Sequence, residues 1–182
     1  MNPANISRYT MARKSNHIIN VALNLSIFLL LAGCGVYSFT GASIPPEAKT
    51  ISIQYFSNNA AFVEPTLSQS LTDALRDRFL AQTSLDLTTE EGDLQIEGSI
   101  TDYSTRPVAI QGNETAALNR LTISIKIKYT NLIDPVKDFE STFTRFEDYP
   151  SDQDLSQVKD QLIPIISEAL VDDIFNKAVV NW

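Results

Sequence analysis

From residue 49 onward the spacing of apolar positions changes several times, and each change predicts an element. In "KTISIQYF" (49–56), Ile51, Ile53 and Tyr55 fall at every second position, the period of a half-buried strand. "SNNAAFVEP" then reads as a loop. Between Pro65 and Gln82 the period lengthens, and Leu67, Leu71, Ala74, Leu75 and Phe79 form one helical stripe. Pro65 suits the entry to that helix, and Thr66 with Gln69 has the spacing of a capping box. Leu85 and Leu87 predict a short strand, and "EEGD" (90–93) a turn. Leu94, Ile96 and Ile100 alternate with Gln95, Glu97, Ser99 and Thr101. After the loop "RPVAIQGNETAA", the clearest strand runs from Leu118 to Thr130. Leu121, Ile123, Ile125, Ile127 and Tyr129 share one face, and Arg120, Thr122, Ser124, Lys126 and Lys128 the other. "NLIDPVKD" turns the chain into a strand over Phe139–Phe146, with a bulge expected near Arg145. From Asp152 to Val180, Leu162, Ile166, Leu170, Ile174 and Ala178 repeat every four residues; Pro164 removes a donor and should kink this helix or start its second half.

The order is strand, helix, four strands, helix. It predicts an α+β two-layer sandwich, two helices packed on one face of a mixed sheet of about four to five strands.

The first part of the chain has a different character. "VALNLSIFLLL" (21–31) is apolar but too short for a comfortable span, which needs about 20 residues. Arg13 and Lys14 precede it, and no acidic residue occurs before Glu47. A basic flank, a short apolar region and small residues after it are the anatomy of a secretory signal. "LAGC" (31–34) resembles the lipobox of bacterial lipoproteins, in which the cysteine sulfur receives diacylglycerol and the leader is cut off just before it. Residues 1–33 are therefore expected to be a signal peptide, with Met11 as a second start site. Cys34 is the expected lipid attachment site, residues 34–48 a tether, and 49–182 a single domain. Gly35 stands where an Asp could signal retention in the inner membrane, so delivery to the outer membrane, on its periplasmic side, is expected.

Charge and chemistry narrow the function. Removing residues 1–33 takes three of the fourteen Lys and Arg and none of the twenty-two Asp and Glu, leaving 149 residues at formal charge −11. Such a domain gains nothing from a polyanion, and nucleic acid is not an expected partner. His17, the one histidine, and Cys34, the one cysteine, are both absent from the domain as free groups, which removes Ser-His-Asp and Cys-His nucleophiles and soft-ligand metal sites. The six scattered glycines form no phosphate-cradling loop, and no cofactor is expected. Glu90-Glu91, Glu147-Asp148 and Asp172-Asp173 could supply acids for glycan cleavage, but sequence neighbours diverge in direction on strand and helix alike. The residues read as a non-enzyme.

Several long stretches resemble the LptE-type family of lipopolysaccharide-assembly lipoproteins, in the family's own order. They are "GCGVYSFTGASIPPEAKTISIQYF" (33–56), "PTLSQSLTDALRDRFLAQTSLDL" (65–87), "GDLQIEGSITDYSTRPVAI" (92–110), "ETAALNRLTISIKIKYTN" (114–131), "KDFESTFTRFEDYP" (137–150) and "ALVDDIFNKAVVNW" (169–182). The resemblance implies an outer-membrane lipoprotein that plugs a β-barrel partner of the LptD type, assists its assembly and binds lipopolysaccharide without bond chemistry. A lipid-tethered periplasmic scaffold sharing only the fold is the alternative, and a carboxylate glycan hydrolase a weaker one.

Two surfaces are candidates for that work. Arg120, Lys126 and Lys128 form a basic row with Thr122 and Ser124 between them, a fit to lipid A phosphates; equally, it could be a solvated face with Glu97 pairing a lysine. Phe62, Val63, Val108 and Ile110 lie in the two apolar loops, and could face the barrel or fold back on the core.

Overall fold

The computed structural model describes residues 44–108 and 117–179. The leader, Cys34 and Ile110 lie outside the described residues. The stretch expected as a strand forms β1 (Thr50–Ile53), and the one expected as a loop opens with a further short strand, β2 (Ser57–Asn58). Then come helix α1 (Leu67–Gln82), β3 (Asp86–Leu87), β4 (Leu94–Val108) and β5 (Leu118–Asn131). A 3-10 turn (Pro135–Lys137), β6 (Phe139–Pro150) and helix α2 (Leu155–Val179) complete the order.

The sheet has six strands rather than four or five, in the order β3-β1-β4-β5-β6, with β2 following β1 along the same edge of β4. β1 is parallel to both β3 and β4, while β4, β5 and β6 are an antiparallel meander, so the sheet is mixed as expected. The sixth strand arises because the chain leaves β1 after Ile53. Tyr55, expected inside with Ile51 and Ile53, is 60% exposed, and Phe56 is fully buried instead. Gly98 makes this possible. A Cβ there would stand 2.4 Å from the Phe56 ring, so the ring occupies the place where a side chain on β4 would be.

Both helices cover one face. Leu67, Leu71, Leu75 and Phe79 of α1 are wholly buried, as the stripe predicts. They meet Ile51 and Ile53 from the sheet, and Leu162, Ile166, Leu170 and Ile174 of α2 join the same core. Leu121, Ile123, Ile125 and Ile127 of β5 form its floor. Pro164 sits inside a single continuous helix. The expected capping box does not form. Thr66 already has helical backbone angles and makes no side-chain cap bond; the Glu64 carbonyl accepts from Leu67 N–H instead.

The bulge expected near Arg145 is absent, since β5 and β6 stay in unbroken register from Tyr129↔Phe139 to Leu118↔Pro150. Arg145 is opposite Ile123, on the helix side, where it makes two 2.6 Å bonds to Asp173 of α2. The irregularity lies on β4, between Ile100 and Asp102.

Candidate functional site

The candidate surface is the sheet face that the helices leave open. Alternation along β5 turns its apolar residues to the helices and its polar residues out, so Arg120, Thr122, Ser124, Lys126 and Lys128 share the open face. The neighbouring strands determine what meets them. Lys128 is directly opposite Glu97 of β4 and bonds it at 3.2 Å. Lys126 reaches Glu140 of β6 at 2.6 Å. Arg120 makes a two-pronged pair with Asp148, at 2.7 and 2.9 Å, and its guanidinium stacks 3.7 Å over Phe146. That pair holds the Asp148 carboxyl below the usual carboxylate range and raises Arg120 above its own ordinary value, chiefly by hydrogen bonding.

One further cation belongs here, and alternation alone assigns it to the wrong side. Gln95, Glu97 and Ser99 face outward, which would put Arg106 inward. The extra residue at Thr101 shifts the register, so Asp102 pairs with Ser124 and Arg106 with Arg120. Tyr103 is thereby buried at 7% exposure and Arg106 stands in the open beside Arg120. Among the described residues no acid pairs with it.

Two shallow concavities mark this face. One, about 320 Å³, is lined by Tyr55, Glu97, Ser99, Lys126 and Lys128 among others. The other, about 420 Å³, lies between Arg106, Arg120, Asp102, Thr122 and Thr144. The first brings together two lysines of the expected row, and the second joins Arg120 to the arginine that alternation misplaces.

The loop residues separate. Phe62 and Val63 are 73% and 61% exposed, outside any regular element, and do not fold back on the core. Val108 is not in a loop: it is the last residue of β4, opposite Leu118, because that strand runs well past the expected end.

Several of the acids are engaged in ion pairs. Arg78 binds Asp172, Arg145 binds Asp173, and Lys159 binds Glu64. A general acid needs a raised carboxyl pKa, and Asp148 is shifted the other way. Among the described residues no group of three or more His, Cys, Asp or Glu converges as a metal site, and no helix is long and apolar enough to cross a membrane.

Comparison with known proteins follows the same lines. Similar solved structures include a minor lipoprotein from Acinetobacter baumannii, at 14% identity and TM-score 0.47, covering 71% of this chain and 91% of that one. Another is the PelC dodecamer from Paraburkholderia phytofirmans, at 10% identity and TM-score 0.46, covering 76% and 94%. At such identities these likenesses carry no functional argument. No curated protein matches the chain by sequence. The family described as LptE, lipopolysaccharide-assembly, matches residues 48–178, which takes in every strand of the sheet, α1 and all but the last residue of α2. The chain belongs to the LptE family of lipopolysaccharide-assembly lipoproteins of the cell envelope.

Proposed function

We propose that this chain is an outer-membrane lipoprotein, held by acyl chains on Cys34, that plugs an LptD-type β-barrel, assists its assembly and binds lipopolysaccharide. The family match across nearly the whole folded unit carries this reading. Its role is contact and guidance, with no bond made or broken.

The open sheet face is the lipopolysaccharide contact in this reading, with Arg106 added to Arg120, Lys126 and Lys128. Lipid A phosphates are divalent oxyanions, and guanidinium and ammonium groups are their natural partners. The carboxylates already on Lys126 and Lys128 are no bar. Exposed pairs contribute about 0–1 kcal/mol, so a doubly charged phosphate can displace them. Arg106 has no pair to give up.

Replacing Arg106, Lys126 and Lys128 together by Gln should weaken lipopolysaccharide binding about tenfold, equivalent to about 1.4 kcal/mol. The thermal midpoint should barely move, and added salt should cost the wild type more affinity than the variant. Unchanged binding in a folded triple variant would return these residues to an ordinary surface.

Partner contact is assigned to the loop carrying Phe62 and Val63, and to Ile110. A photo-crosslinker at Phe62 or Ile110 should capture the barrel, and the barrel should co-purify in mild detergent. A scaffold would purify alone. Labelling that finds no barrel at these sites or at any other exposed loop would exclude the plug reading.

A further inference from the structure

The turn between β5 and β6 displays Leu132, Ile133 and Val136 at 54%, 41% and 92% exposure. It is a built turn. The buried Asn131 side-chain oxygen accepts from Ile133 N–H at 3.0 Å and Asp134 N–H at 2.8 Å, and Asn131 N–H donates to Asp138 at 2.7 Å. Three apolar side chains are therefore held outward by a frame whose own polar groups are largely satisfied. Burying a backbone in or near lipid requires that satisfaction, since an unpaired N–H or C=O there is costly.

What lies beside the turn identifies its partner. Asp93 accepts from Lys49 N–H at 2.8 Å, and from the N–H and hydroxyl of Thr50 at 3.0 Å each. Its own carbonyl accepts from Leu132 N–H at 2.9 Å. One residue thus joins the point where the N-terminal segment enters the sheet to the first exposed apolar residue of the turn. From Cys34 to Ile44 is ten residues, a leash of roughly 35 Å at full stretch and shorter when coiled. The β4–β5 hairpin runs the other way for roughly 45 Å, at about 3.3 Å per residue. The apolar turn is at the leashed end of the domain.

We propose that this turn is a second contact with the phospholipid surface. Leu132, Ile133 and Val136 seat at the boundary of headgroups and acyl chains and set the tilt of the domain on its anchor. The nearby charges are mixed, Asp134 with Lys137 at 3.9 Å and Asp138 close by, which suits zwitterionic headgroups. The inference rests on the reading of Cys34 as the lipid attachment site.

The test uses the full-length acylated protein in phosphatidylcholine vesicles. Acylation consumes Cys34, so Val136→Cys or Phe62→Cys offers a single thiol for an environment-sensitive fluorophore. Phe62 follows β2, whose partner Ile100 is six residues along β4 from Leu94, roughly 20 Å from the turn. The Val136 label should be quenched several-fold more by shallow nitroxide lipids than the Phe62 label, and less by aqueous iodide. Adding Leu132→Ser and Ile133→Ser should remove that difference while circular dichroism stays unchanged. An acylated, vesicle-bound protein whose two labels quench alike would overturn the inference alone. An intact mass without acyl chains would overturn the anchor reading and the inference with it. Shielding of Val136 only when the barrel is present would make the turn a protein contact and overturn the lipid assignment.

Discussion

Phe79→Ala should lower the stability of the domain by about 3–5 kcal/mol, the largest loss expected from any single truncation considered. Phe79 is fully buried near the end of α1, and its ring meets Phe175 of α2 edge-on, with centroids 5.0 Å apart and planes at 66°. It joins the two helices within the core they share with the sheet. Removing the ring deletes a large apolar side chain and the edge-to-face pair together. In urea unfolding the midpoint should fall with the slope unchanged, which separates lost stability from altered compactness. Leu80→Ala, next door but 52% exposed, should shift it far less. A Phe79→Ala loss below about 1 kcal/mol would mean that the helices do not pack as described.

Cys34→Ser should abolish acylation and removal of the leader. Serine matches cysteine in size but offers a hydroxyl where the modification needs a sulfur. Acyl chains contribute about 0.8 kcal/mol per buried methylene, so several of them make the anchor effectively permanent, and no smaller contact replaces it. The variant should accumulate as uncleaved precursor, without added lipid mass. The family match begins only at residue 48, so its folded unit should be unaffected. A variant that is cleaved, acylated and sedimented with membranes like the wild type would show the anchor reading to be wrong.

How far the fold could be read from the chain depended on whether one period governed a segment from end to end. The α1 stripe and the alternation of β5 did so: Leu67, Leu71, Leu75 and Phe79, and Leu121, Ile123, Ile125 and Ile127, are buried as expected. Where a distant residue decides, local pattern fails. Tyr55 continues the alternation of β1, yet Phe56 is the residue turned inward, because Gly98 on another strand leaves a vacancy for its ring. Arg106 lies in the stretch expected as a loop, because β4 runs on to Val108, and the inserted residue at Thr101, which no composition signal marks, would have turned it to the wrong side even on an extended strand. Thr66 and Gln69 have the spacing of a capping box, but the helical ψ of −13° at Thr66, where a cap needs extended backbone, rules that geometry out. At the candidate site, the basic row on β5 was legible. Two of its carboxylate partners, Glu140 and Asp148, lie on β6 and depend on cross-strand register, which alternation within one strand does not reveal.

The place of β1 in the sheet also governs the order of assembly. β1 is the first strand of the chain, yet it lies between β3 and β4, with Thr50 opposite Asp86 and Ile51 opposite Leu94. A chain delivered N-terminus first presents β1 long before either neighbour exists. β4, β5 and β6, by contrast, join through successive hairpins and can zip locally, on the microsecond scale of hairpin formation. Inserting β1 is the long-range step, which must meet the entropy of closing the intervening loop before any contact rewards it. The meander should therefore form first and serve as the template on which β1 is captured. Until then Ile51 and Ile53 are exposed next to the segment that carries the anchor, and this interval is when the chain is most open to mispairing.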